Sequence, residues 1–152
     1  MRTKTDIRFV VDADPDQVMD ALAAVESLPE WSTSYRDARV ATRDDEGRPQ
    51  RVFVKADLMG GSDLQVLEYD WTHSRSEWEV TDSTRGVKGG GWFEIADGED
   101  GTHVWYHVEL YLPIPLPGLL VRRTLRRSNE EVVANFIEFA ERFPETESYE
   151  SV

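Results

Sequence analysis

The chain contains no cysteine. Disulfides, thiolate metal sites and cysteine nucleophiles are therefore excluded. Long apolar runs are also missing: none approaches the ~20 residues that a membrane-spanning helix needs. No charged segment followed by an apolar one opens the sequence, so the expected location is the cytoplasm. Positive charge is scarce, with 17 Lys and Arg against 30 Asp and Glu, a formal net charge of −13 and a pI near 4.6. Such a balance argues against nucleic-acid binding, which needs a broad basic face to neutralise phosphates. One stretch reverses the pattern. No acidic residue lies between Leu110 and Asn129, where the sequence reads YLPIPLPGLLVRRTLRR from Tyr111 to Arg127. An apolar, proline-stiffened corner runs there into Arg122, Arg123, Arg126 and Arg127.

What is present points to one folded domain. A length of 152 residues lets a single domain bury about two-thirds of its unfolded surface. A hydrophobic content of 39% with five tryptophans argues against disorder. The expected domain covers residues 1–143. Residues 144–152, PETESYESV, read as a polar, acidic and frayed tail.

Thr5 to Val11 alternates, with Ile7, Phe9 and Val11 on one side, as a strand does. Asp14 then suits an N-cap and Pro15 the first helical position, with Val18, Leu22 and Val25 as the apolar stripe. Leu28-Pro29-Glu30-Trp31 reads as a second short helical turn anchored by Trp31. From Tyr35 to Leu112 the chain reads as strands and tight turns. A hairpin around Thr72–Arg75 pairs Tyr69 with Trp78 and Leu67 with Val80. Its other face sets Asp70 against Glu77 and Glu68 against Glu79, so that face must be wet. A hairpin around Asp97–Asp100 pairs Phe93 with Val104 and Gly91 with Tyr106, and sets Trp92 against Trp105 and Lys88 against Glu109. A third, around Glu46–Arg48, pairs Val40 with Val54. Six meandering strands and the first strand make seven, antiparallel, with one solvated face. After Pro117-Gly118 a long helix runs roughly to Phe143. Its stripe is Val121, Leu125, Ser128, Val132, Phe136, Phe139 and Phe143, with Ser128 and Asn135 interrupting the apolar face.

The order strand, two short helices, six strands, long helix is an α+β arrangement. With FVVDADPDQVMDALAAVESLPEWS, the late hairpin GGGWFEIADGEDGTHVWYHVELYL and LPIPLPGLL opening the last helix, it resembles the helix-grip superfamily known as SRPBCC. That superfamily includes START-related lipid carriers and bacterial polyketide cyclases or dehydrases. The resemblance spans roughly Thr3 to Phe143. It implies a curved seven-stranded sheet wrapped around the long helix, an apolar cavity between them, and no cofactor. It places the mouth among Leu58–Gly61, Ser83–Gly86 and Pro113–Leu119, with Leu58, Met59, Arg85, Ile114, Leu116 and Leu119 as its rim.

The inward face of the sheet carries Tyr69, Trp71, Trp78, Phe93, Tyr106 and Val108. Rings with a polar tip suit a ligand cavity, and they equally suit an ordinary core. From the helix, Val132, Asn135 and Phe136 complete the expected ligand-binding set. Asp82 and Arg85 have inward parity, and with Tyr106 they are the candidates for acid–base work; as a rim ion pair they would carry no chemistry. Lys88-Gly89-Gly90-Gly91 reads as a bend in a strand. It is not a phosphate loop, since no helix follows and no Lys-Ser/Thr pair ends it. His103 and His107, four apart on a strand, would sit about 13 Å apart at ~3.3 Å per residue, too far for one metal ion. The arginines are spaced like a solvated helix face, or they attract an anionic head group or membrane surface through residues 113–127.

Three functions follow as expectations. The leading one is binding of a small hydrophobic ligand, a lipid or polyketide-like molecule. A polyketide aromatase/cyclase or dehydratase is the second. The third is a protein-interaction module or homodimer using the acidic face of Glu68, Asp70, Glu77 and Glu79, or the Trp92–Trp105 pair.

Overall fold

The computed structural model describes residues 1–58, 61–113 and 118–144. Strand β1 (Arg2–Val11) leads into helix α1 (Pro15–Ala23), a 3₁₀ turn (Val25–Ser27) and helix α2 (Leu28–Trp31). Six strands follow: β2 (Tyr35–Arg43), β3 (Pro49–Leu58), β4 (Gly61–Trp71), β5 (Arg75–Ser83), β6 (Lys88–Gly98) and β7 (Gly101–Tyr111). Helix α3 (Gly118–Arg142) closes the fold. The strands form one antiparallel sheet in the order β1-β7-β6-β5-β4-β3-β2. The first strand returns beside the last, and β1 and β2 are the edges.

Local chemistry explains the ends of α1. Asp14 Oδ1 accepts from Gln17 N at 2.8 Å and satisfies one of the free N–H groups of the first turn. The Gln17 side chain then reaches α3, donating to Ala140 O at 2.8 Å. The Asp12 N–H donates to Glu141 Oε2 at 2.9 Å. Both bonds tie the β1–α1 corner to the C-terminal end of the long helix.

The β4–β5 hairpin has the expected pairing, with Tyr69 opposite Trp78 and Leu67 opposite Val80. Two others differ by two residues. In β6–β7, Phe93 faces Tyr106 and Gly91 faces Val108, because the turn is the two-residue Glu99-Asp100 between Gly98 and Gly101 rather than four residues. In β2–β3, Val40 faces Val52 and Ala38 faces Val54. Asp44 closes that loop by accepting from Glu46 N and Arg48 N at 3.0 and 2.9 Å. A shift of two keeps every side chain on its face, whereas a shift of one would invert the sheet. It does change partners. Trp92 lies opposite His107, stacks on it at 5.1 Å, and reaches Trp105 diagonally at 5.0 Å. Glu109 pairs with Lys4 of β1 at 3.4 Å rather than with Lys88.

The core lies between the inward sheet face and the helices. Phe136 of α3, fully buried, meets Phe9 of β1, Trp31 of α2 and Phe93 of β6 at ring distances of 6.3, 4.7 and 5.7 Å. A smaller cluster, Val87, Leu112 and Val121, holds the first turns of α3 against the loop before β6 and the end of β7.

The glycine run in β6 serves close approach. Gly91 lies opposite Trp78. A β-carbon there would stand 2.5 Å from the indole ring and 2.5 Å from His107 O. The missing side chain lets Trp78 lie across the strand. Gly91→Ala is expected to lower unfolding stability by about 2 kcal/mol or more, read as a fall in the urea midpoint.

Candidate functional site

A cavity of about 210 Å³ lies between the sheet and the N-terminal half of α3. Its walls come from α2, β2 to β7 and α3. Phe93 and Tyr106 stack at 4.4 Å with their planes 12° apart, and Trp78 covers Tyr106 at 6.3 Å. From α3 come Leu125, Ser128, Asn129 and Val132. Ser128 and Asn129 are short and polar, so they leave the space between helix and sheet unfilled there. Asn129 Nδ2 donates to Thr5 Oγ1 at 3.0 Å and fixes the helix to the edge strand.

Three tyrosines, Tyr35, Tyr69 and Tyr106, line the same space. Burial pushes the Tyr35 hydroxyl up to about 12. Burial first, and then the neighbouring tyrosines, push Tyr69 and Tyr106 higher still. All three are neutral hydroxyls at physiological pH, able to donate and to accept. Asp57 is the one charged residue among the described lining residues, and Arg36 Nε holds it at 2.6 Å. Trp31 Nε1 is buried with no acceptor among the described residues.

Two polar side chains at inward positions of β4 were not singled out from the sequence. Asp63 is fully buried. It accepts from Gln65 Nε2, Ser83 Oγ and Thr84 Oγ1, each at 2.7 Å, and from Arg85 N at 2.9 Å. Burial alone would raise the carboxyl, but these four donors outweigh it and hold Asp63 below the usual carboxylate range. The network fastens the β5–β6 loop to the start of β4. Gln65, also buried, lines the cavity. The visible signal was a break in alternation, since Asp63 and Gln65 share a face with Leu67 and Tyr69.

The expected site residues divide. Tyr69, Trp78, Phe93, Tyr106, Val108, Val132 and Leu58 line the cavity. Trp71 does not: its Nε1 donates to Pro49 O at 2.6 Å, and its ring sits between Tyr69 and the Arg48 guanidinium. Phe136 belongs to the packed core behind the cavity. Asn135 turns away to donate to Trp31 O at 3.4 Å. Asp82 is exposed. A bulge at Thr81 shifts the register between Leu67 and Val66, so Asp82 faces outward with Val66. Arg85 is exposed too; its backbone, not its guanidinium, serves the Asp63 network. Asp82, Arg85 and Tyr106 are thus not brought together. Leu119 is 71% exposed and does not line the cavity. Met59, Ile114 and Leu116 lie outside the described residues. On the outer face, His103 lies against Asp100 and His107 against Asp6, each at 2.7 Å, so the two histidines have separate partners.

The sequence profile of polyketide cyclase / dehydrase and lipid transport proteins matches residues 2–141. The chain belongs to that family. As a family member it shares its fold with several solved structures. A START superfamily protein from Mycobacterium smegmatis aligns with a TM-score of 0.76 and 16% identity, covering 93% of this chain and 97% of that one. The Zhui aromatase/cyclase from Streptomyces sp. R1128 gives 0.76 and 13%, covering 93% and 95%. A protein from Thermus thermophilus gives 0.72 and 19%, covering 91% and 94%. No curated protein matches this family member in sequence. The seven-stranded sheet and long C-terminal helix are the helix-grip fold. No helix among the described residues is long and apolar enough to cross a membrane.

The Asp63 network has a pH signature. An unfolded aspartate titrates near 3.9, and folded Asp63 titrates lower. Its contribution is therefore complete above the unfolded value and is lost as pH falls through the folded one. Asp63→Asn is expected to cost about 2–3 kcal/mol at neutral pH. The gap to wild type should narrow below about pH 4, in urea midpoints taken across pH.

Proposed function

We propose that this protein binds a small hydrophobic molecule, lipid or polyketide-like, in the cavity between the sheet and α3, for transport or sequestration. The observation that carries the reading is a partly open space of about 210 Å³ walled mainly by apolar and aromatic side chains, with a few neutral polar tips and the paired Asp57. At ~30 Å³ per water, the space is worth about seven waters. The size suits a ligand of about two rings or a short chain rather than a whole phospholipid. Burial supplies the affinity, at about 0.8 kcal/mol for each methylene removed from water.

Turnover is the weaker reading, although one structural neighbour is an aromatase/cyclase. Cyclisation or dehydration calls for a group that exchanges a proton near neutral pH. The tyrosines titrate far above it, and Asp82 and Arg85 are outside.

Binding is tested with a neutral solvatochromic dye such as Nile red, alongside native mass spectrometry of the purified protein. The expected result is a saturable emission increase, or a co-purified small molecule in the spectrum. Ser128→Phe places a ring in the space from α3. It is expected to abolish dye uptake while keeping or raising thermal stability, because it fills a void. Dye uptake that survives Ser128→Phe would place binding elsewhere, and no uptake by wild type that carries no co-purified molecule would overturn the reading.

A further inference from the structure

A glutamine amide has two ends of opposite character, a carbonyl that only accepts and an NH₂ that only donates. The surroundings decide which end faces where. At Gln65 they decide it fully. The NH₂ group donates to Asp63 Oδ2 at 2.7 Å. Asp63 is buried and receives three further donors, from Ser83, Thr84 and the Arg85 N–H. A carboxylate so surrounded is ionised and can only accept. Turning the amide over would set carbonyl against carboxylate. The Gln65 carbonyl is therefore held away from Asp63, and no hydrogen bond found among the described residues ends on it. Gln65 is only 7% exposed and forms part of the cavity wall.

We infer that Gln65 presents a fixed acceptor to the cavity, with Asp63 as its positioning residue, and that the site selects an uncharged ligand bearing a hydroxyl or similar donor. This rests on the binding reading above and narrows its ligand class. The tyrosine hydroxyls rotate and serve either partner, so they do not discriminate. The Gln65 carbonyl cannot adapt. A ligand that buries it without a donor leaves an acceptor unpaired, a penalty borne in full. Anionic ligands fare worse. No cationic side chain is among the described lining residues, and Arg122, Arg123, Arg126 and Arg127 are exposed on α3. A carboxylate would enter a space that offers it no counter-charge.

Three probes that share one ring system separate these possibilities: 2-naphthol, 2-methoxynaphthalene and 2-naphthoate, titrated by calorimetry at neutral pH. Wild type is expected to bind the naphthol about tenfold or more tightly than its methyl ether, with naphthoate weakest. Gln65→Met keeps length and bulk but removes the carbonyl, and should bring the naphthol-to-ether ratio close to one. Asp63→Asn, whose amide no longer dictates the orientation of Gln65, should also lower the ratio. A merely structural role would weaken both ligands together and leave the ratio alone. Equal binding of naphthol and ether by wild type, or a ratio that persists in Gln65→Met, overturns the inference while leaving the binding reading intact. If none of the probes nor the neutral dye binds, the binding reading fails and takes this inference with it. If Asp63→Asn does not fold, Gln65→Met decides alone.

Discussion

Helix α3 is held to the sheet by bulky packing toward each end, and the cavity lies between those contacts. Toward its C-terminal end, Phe136 packs among Phe9, Trp31 and Phe93, joining the helix to β1, α2 and β6. Near its start, Val121 sits with Val87 and Leu112. A helix is stiff over this length, so these contacts set its height above the sheet. Between them the inward residues Ser128 and Asn129 are too short to fill that height, and on the strands the rings of Trp78, Phe93 and Tyr106 lie stacked along the sheet. Well-packed cores leave few voids larger than a water molecule. A space of about 210 Å³ thus follows from where the bulky side chains stand along α3.

The electrostatics divide along the same wall. Among the described residues nearly all carboxylates are solvated, and most ion pairs are between exposed side chains worth little individually. Inside, polarity is carried mostly by neutral groups; the charged exceptions are Asp57, on the cavity wall and paired with Arg36, and the fully buried Asp63, one layer behind it. A buried charge is tolerated only when fully hydrogen-bonded. Asp63 meets that condition with donors from β4 and from the Ser83–Arg85 segment. The price of burying the carboxylate is offset by bonds that also fasten the β5–β6 loop and orient an amide, so a single buried acid links the anchoring of that loop to the chemistry of the cavity wall.

How much of this was legible in the sequence can be argued from particular residues. Period and turn chemistry located the strands and helices among the described residues, and the faces of the sheet came out correctly except at the end of β5; Val25, read with the first helix, opens the 3₁₀ turn instead. Two hairpin registers were displaced, because turn length is set by local closure, such as Asp44 bonding across its own loop, which composition does not reveal. The displacement was by two residues, and the period-two pleat preserved the inward set. Asp82 shows the opposite case. One extra residue at Thr81 reverses parity, and no pattern in TDSTRG announces a bulge. Trp71 had the correct face, but its indole N–H found Pro49 O at the edge, a partner supplied only by the assembled sheet. Asp63 and Gln65 were visible as polar residues on an apolar face; their meaning required Ser83 and Thr84, about twenty residues away in sequence, to be placed beside them.

Function turns on the same long-range placement. An apolar pocket alone discriminates weakly among ligands, since one methylene more or less changes little. Discrimination arises where a buried polar group cannot reorient and is penalised when left unpaired. Rotating hydroxyls on Tyr35, Tyr69 and Tyr106 do not meet that description, and Asn129 is already committed to Thr5. Gln65, locked by a carboxylate that can only accept, does. In a cavity whose shape follows from the bulky contacts of α3 and whose walls are mostly greasy, the proposed binding concentrates specificity in Gln65, whose orientation the fold has fixed from behind.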